Sequence, residues 1–163
     1  MMKTKELKVI INHIIDNVEK LIPLYLEIKE ERDKANGNVA LCIIDHKGAI
    51  HGKVFGDNKM RGRESFRVAW TKASQVWITG FKTGEYEQKL FNNEIVEDLQ
   101  GIRKPDLIGW EGGQPITLAD GTILAVGFSG FRGATDLEIM LKACQFMGVD
   151  NINQLTNKEY QLI

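Results

Sequence analysis

The chain has 163 residues, 21 Lys+Arg against 22 Asp+Glu, and a hydrophobic share of 43%. That length fits one domain of ordinary size, and the apolar share supports a core without disulfides. The near-balance of charge gives a nucleic-acid partner no electrostatic support, and no window approaches the roughly twenty apolar residues of a membrane span.

Leu7, Ile11, Ile14, Val18 and Leu21 recur at helical spacing and predict a first helix over about residues 4–22. Lys3, Lys5 and Lys8 before Val9-Ile10-Ile11 imitate a signal peptide. However, Asn12, His13 and Asp16 break the apolar run, and no small-residue cleavage site follows. Pro23 is expected to interrupt the helix, leaving an extra helical segment at about 23–36. Its charges, from Glu27 to Lys34, read as a solvated face. Asn36-Gly37-Asn38 stops it, because these residues tolerate the left-handed conformation of a helix end.

Val39 to Ile44 is a continuous apolar run, read as a strand covered on both faces, although a short buried helix shares that pattern. Asp45 to Gly48 is a turn, and Ala49 to Phe55 returns as a second strand. Residues 56–62 read as a loop. Glu64 to Thr79 is the strongest central helix, with Phe66, Ala69, Trp70, Ala73, Val76 and Trp77 on one side. Weaker helical periodicity covers residues 85–99, a loop follows at 101–105, and Leu107 to Trp110 reads as a short strand.

Gln114 to Leu118 and Thr122 to Ser129 are strands joined at Ala119-Asp120-Gly121, where Asp-Gly signals a tight turn. The last helix is expected over 135–147, with Thr135 and Glu138 as a capping box and Gly148 as its stop. Residues 149–163 read as a tail. Hairpins in place of βαβ crossovers imply an α/β chain of the α+β type, a mainly antiparallel sheet flanked by helices.

Cys42 and Cys144 lie in apolar patterns without a C-x-x-C or Cys/His cluster. Buried thiols, no metal site and a reducing, cytoplasmic home follow. The glycine loop Gly127 to Gly133 fails as a nucleophile elbow, since Phe131 stands where a glycine is needed and no histidine follows Ser129. It also lacks the phosphate-loop and dinucleotide patterns, and Asp136 and Glu138 would repel a phosphate. A close backbone turn is the favoured reading.

His13, His46 and His51 are the histidines, and any one of them could serve as an axial haem ligand. An ordinary surface histidine is the commoner state of each. Trp70 and Trp77 could line a flat apolar pocket, with a packed core or subunit interface as the commoner use. Trp110, among glycines 109 and 112, is a pocket or interface candidate. Lys72, Arg63 and Arg132 could receive carboxylates, with solvent exposure preferred for Arg63.

Over residues 38–147 the chain resembles the GlcG/HbpS family, which includes the C-terminal domains of PduO-type corrinoid adenosyltransferases. The resemblance rests on Val39 to Asp45 with the Gly48 turn, and on Lys72-Ala73 in the middle helix. Gly112-Gly113-Gln114-Pro115-Ile116, Asp120-Gly121, Gly127-Phe128-Ser129-Gly130 and Asp136 complete it, in that order. It implies a profilin-like fold, a homo-oligomer and a small-ligand binding module for haem or another tetrapyrrole, more a binder than a catalyst. The alternative is an enzyme or accessory factor acting on a small organic acid, or in corrinoid or glycolate metabolism. The expected ligand-contacting residues are His51 first and His13 second on the iron, with Trp110, Lys72, Gly113 and Ser129 around the pocket. Any haem would be noncovalent, since no C-x-x-C-H motif is present.

Overall fold

The structure is a computed structural model and describes residues 3–96, 100–103 and 106–145. Helix α1 (Thr4–Leu26) and the short α2 (Lys29–Ala35) lead into strands β1 (Val39–Ile44) and β2 (Ile50–Phe55). Helices α3 (Lys59–Thr79) and α4 (Thr83–Phe91) follow. Strands β3 (Gly113–Thr117) and β4 (Ile123–Ser129) then lead to helix α5 (Gly133–Gln145). The four strands form one antiparallel sheet in the order β2-β1-β4-β3. This is an α+β fold with a profilin-like arrangement.

The sheet has two unlike faces. On one, α1 and α5 pack together over a cluster that includes Leu7, Ile11, Ile14, Leu41, Ile43, Val126, Phe128 and Met140. On the other, α3 crosses β1, β4 and β3 over small residues, Ala40, Cys42, Ala69, Ala73 and Ala125. Glycine permits that close approach: a Cβ on Gly127 would lie 2.0 Å from the Ala69 carbonyl oxygen.

Several boundaries differ from the expected ones. Helix α1 runs through Pro23 to Leu26, because Ile22 and Tyr25 on the same stripe bury against the core and offset the lost backbone bond. Helix α3 begins at Lys59, five residues early, where the Asn58 side chain accepts from the Arg61 N–H. Its buried face holds Ala69, Ala73 and Val76 but also Ser65, Thr71, Lys72 and Gln75, while Trp70 and Trp77 are about half exposed. Rings of that size do not fit over strands lined by glycine and alanine.

Of the helical periodicity over 85–99, α4 takes Thr83–Phe91, and residues 97–99 lie outside those described. The expected strand at Leu107–Trp110 is irregular backbone. The Gln75 carboxamide takes the place of a sheet partner, donating to the Ile108 carbonyl at 2.8 Å and accepting from its N–H at 3.0 Å. At the β3–β4 connection Gly121 alone takes positive φ, and Asp120 accepts from the Thr122 N–H. Helix α5 starts at Gly133, so Thr135 lies inside its first turn and is not its cap. Its expected end at 147 and the tail lie outside the described residues.

Candidate functional site

The glycine loop after β4, the start of α5, the middle of α3 and the segment at 109–111 surround a cavity of about 650 Å3. Lys72 enters it from the buried face of α3. Its ammonium donates to the Phe128 carbonyl at 2.8 Å and to the Asp136 carboxylate at 3.1 Å, with both side chains almost wholly buried. The other Asp136 oxygen accepts from the Phe131 N–H at 3.0 Å, which fixes the loop at its tightest bend. Gly112, at φ +112°, makes room for this arrangement. A Cβ there would lie 2.7 Å from Lys72 Nζ and 2.7 Å from the Phe128 oxygen.

Burial pushes the Asp136 carboxyl up to about 7, against the lowering influence of Lys72 and the Phe131 N–H. Burial likewise pushes the Lys72 amine below the ordinary lysine value, with Asp136 opposing it. Each member of the pair is thus moved toward its neutral form.

The mouth carries charges of both signs. Lys34, Arg61 and Arg132 line it, with Glu64 and Glu111 as the acidic members. Arg61 donates through Nη2 to the Lys34 carbonyl at 3.2 Å, while its buried Nε has no hydrogen-bond partner among the described residues. Arg132 is anchored by Glu31 of α2, a fully buried carboxylate. Glu31 accepts from the Arg132 N–H at 2.9 Å, from its guanidinium Nε, and from the Thr135 hydroxyl at 2.7 Å. Burial alone would raise the Glu31 pKa, but these bonds together hold it below the usual carboxylate range. Trp110, Val68 and Phe131 supply the apolar lining.

Of the residues expected at a ligand site, Lys72, Trp110 and Ser129 line this one cavity. Gly113 lines a neighbouring depression of about 370 Å3 with Thr83, Glu87 and Glu111, and its N–H donates to the Thr83 hydroxyl at 3.3 Å. The histidines lie elsewhere. His51 shares its face of β2 with Lys53, which pairs with Glu19 of α1, whereas Gly52 on the opposite face abuts Phe66 of α3. His51 pairs with Asp45 at 3.3 Å beside the β1–β2 turn. His13 is exposed on α1 and His46 is exposed in the turn. The sheet therefore stands between His51 and the cavity.

Glu31 carries no local signal of its role, because its partners lie 101 and 104 residues away. Among the described residues no cluster of three or more His, Cys, Asp or Glu could hold a metal ion, and no helix is long and apolar enough to cross a membrane.

Residues 17–145 match the family model described as haem degrading protein HbpS-like. No curated protein matches the sequence. Among solved structures, the chain is similar to Klebsiella pneumoniae protein ORFY, at 18% identity and a TM-score of 0.61, over 86% of this chain and 88% of that one. It is also similar to PduOC in a PduOC–haem complex, at 16% identity and a TM-score of 0.56, over 88% of this chain and 93% of that one. At such identities the likeness shows a shared fold.

Proposed function

The chain belongs to the HbpS-like family, and from that premise we propose that it binds a carboxylate-bearing tetrapyrrole, with haem as the leading ligand, in the cavity above Lys72. The observation that carries this reading is the cavity itself. Its volume lies within the range of cofactor clefts, about 300–1,000 Å3. It joins an apolar flank to a mouth bearing Arg61, Arg132 and Lys34.

The residues present fit the macrocycle and its propionates. Trp110, Val68 and Phe131 offer apolar contact, and the mouth cations offer charge-assisted hydrogen bonds to carboxylates. No histidine lines the cavity, so apolar contact and the rim cations would hold haem there. When bound, haem would supply redox-active iron. The chain's own residues orient the ligand: Glu31 fixes Arg132, and Asp136 fixes the loop that forms the cavity wall.

Titration with ferric haem, followed by visible absorbance, tests the proposal. A saturable Soret change at one haem per chain is the expected result, and its absence overturns the haem reading. Self-association belongs to the same proposal. Trp70, Trp77, Ile50 and Val54 are exposed, and the first two stand on the outer side of α3. A homo-oligomer, dimer or larger, covers them, and sedimentation equilibrium at micromolar concentration checks this. The buried free thiols of Cys42 and Cys144 suit a reducing, cytoplasmic setting.

A further inference from the structure

We propose that Lys72 is an imine-forming amine that captures small carbonyl compounds bearing a carboxylate, 2-oxo acids as the class, inside the cavity beside Ser129. The proposal goes beyond haem binding and needs only that the cavity admit a small ligand.

Three features of the geometry support it. First, Lys72 Nζ faces two acceptors, the Phe128 carbonyl at 2.8 Å and the Asp136 carboxylate at 3.1 Å. A neutral amine has two N–H bonds and one lone pair. Asp136 is placed to take one proton from the ammonium, and the Phe128 carbonyl to hold one N–H of the amine that results. Second, the lack of a side chain on Gly112, where a Cβ would stand 2.7 Å from Nζ, lets the Lys72 amine sit against Phe128 and Asp136. Third, Lys72 and Ser129 share the cavity with Arg61, Arg132 and Lys34, so a ligand carboxylate meets cations while its carbonyl reaches the amine.

Burial favours the neutral amine that attack requires. An ordinary lysine is neutral in roughly one molecule in 2,500 at pH 7.

The step balances without an oxidant or reductant. Asp136 takes a proton from the Lys72 ammonium. The amine lone pair forms a bond to the carbonyl carbon, and the carbonyl π pair moves to oxygen. Proton transfers through Asp136 turn that oxygen into water, which leaves as the nitrogen pair closes the C=N bond. Ammonium and carbonyl thus become iminium and one water. The Ser129 hydroxyl, on the cavity wall, is placed to hydrogen-bond the carbonyl oxygen.

The test is to incubate the full chain with pyruvate, add cyanoborohydride and map the reduced adduct by peptide mass spectrometry. The expected result is one adduct, on Lys72, formed at least about tenfold faster than on any exposed lysine. Lys72→Arg should lose it while circular dichroism remains that of the wild type. Acetone, which lacks the carboxylate, should label Lys72 more slowly. Labelling spread evenly over exposed lysines, or none on Lys72, overturns the proposal. Equal labelling by acetone overturns its carboxylate part. A haem titration on the same preparation separates the two readings. A Soret change without the adduct removes this proposal alone, and the adduct without a Soret change removes the haem reading alone.

Discussion

The two faces of the sheet solve different problems. Under α1 and α5 the interior is aliphatic and aromatic, and its order follows from volume alone. Under α3 the helix comes close enough to the strands to exclude large side chains, and it buries Lys72, Gln75, Thr71 and Ser65. Each of these polar groups has a partner on the protein. The first face stabilises the fold. The second holds a charge pair that burial strains, at the edge of a cavity. Buried polar groups on the helix distinguish the face that borders the cavity.

The largest effects should expose this contrast. Lys72→Met leaves Asp136 buried without its cation and should cost about 3–5 kcal/mol in urea unfolding at pH 8. At pH 5 the cost should be smaller, because Asp136 can then be protonated. Ile11→Ala on the opposite face should cost about 2–5 kcal/mol, with the same value at both pH values. A pH-independent penalty for Lys72→Met would erase the distinction.

Glu31→Gln should be next. The variant keeps the shape but removes the charge that accepts from Arg132 and Thr135, at about 1–3 kcal/mol. The Glu31 pKa is depressed, so its contribution is present above the ordinary carboxylate value and lost as pH falls through the folded one. The penalty should therefore fade in acid melts.

Asp136 has the opposite sign. Its folded value, about 7, lies above the ordinary 3.8. The native chain holds a proton that the unfolded chain releases, so this contribution is full below the unfolded value and falls as pH rises toward 7. The stability of the wild type relative to Asp136→Asn should decline across that window. A rise would contradict the assignment. The smallest effect on stability should come from Trp77→Glu, within about 0.5 kcal/mol, yet the sedimenting mass should drop if that face is covered by a second copy.

The four strands of the sheet, the Asp120-Gly121 turn and the buried stripe of α1 were legible because alternation, turn chemistry and helical spacing are local signals, whereas the strand expected at Leu107–Trp110 did not form. The face of α3 was not legible. A helical stripe assigns Trp70 and Trp77 to the core by size, whereas the glycines at 52 and 127 decide how much room the strands leave. Those isolated strand glycines were the available clue. Lys72, Trp110 and Ser129 could be singled out one by one, but their meeting in one cavity depends on the path of the 109–113 segment, which the Gln75 and Thr83 side chains hold in place. Glu31 lay in a charged run that resembles any solvated face.

The central claim, that the ligand site lies on the α3 side, is tested most directly by haem titrations of four variants side by side. Trp110→Ala and Lys34→Glu alter exposed residues at the cavity, while His51→Ala and His13→Ala alter the opposite side. The account predicts that the first two weaken binding by about tenfold, roughly 1.4 kcal/mol, and that the histidine variants bind as the wild type does. Loss of the Soret change in His51→Ala or His13→Ala, with Trp110→Ala and Lys34→Glu unaffected, would contradict it.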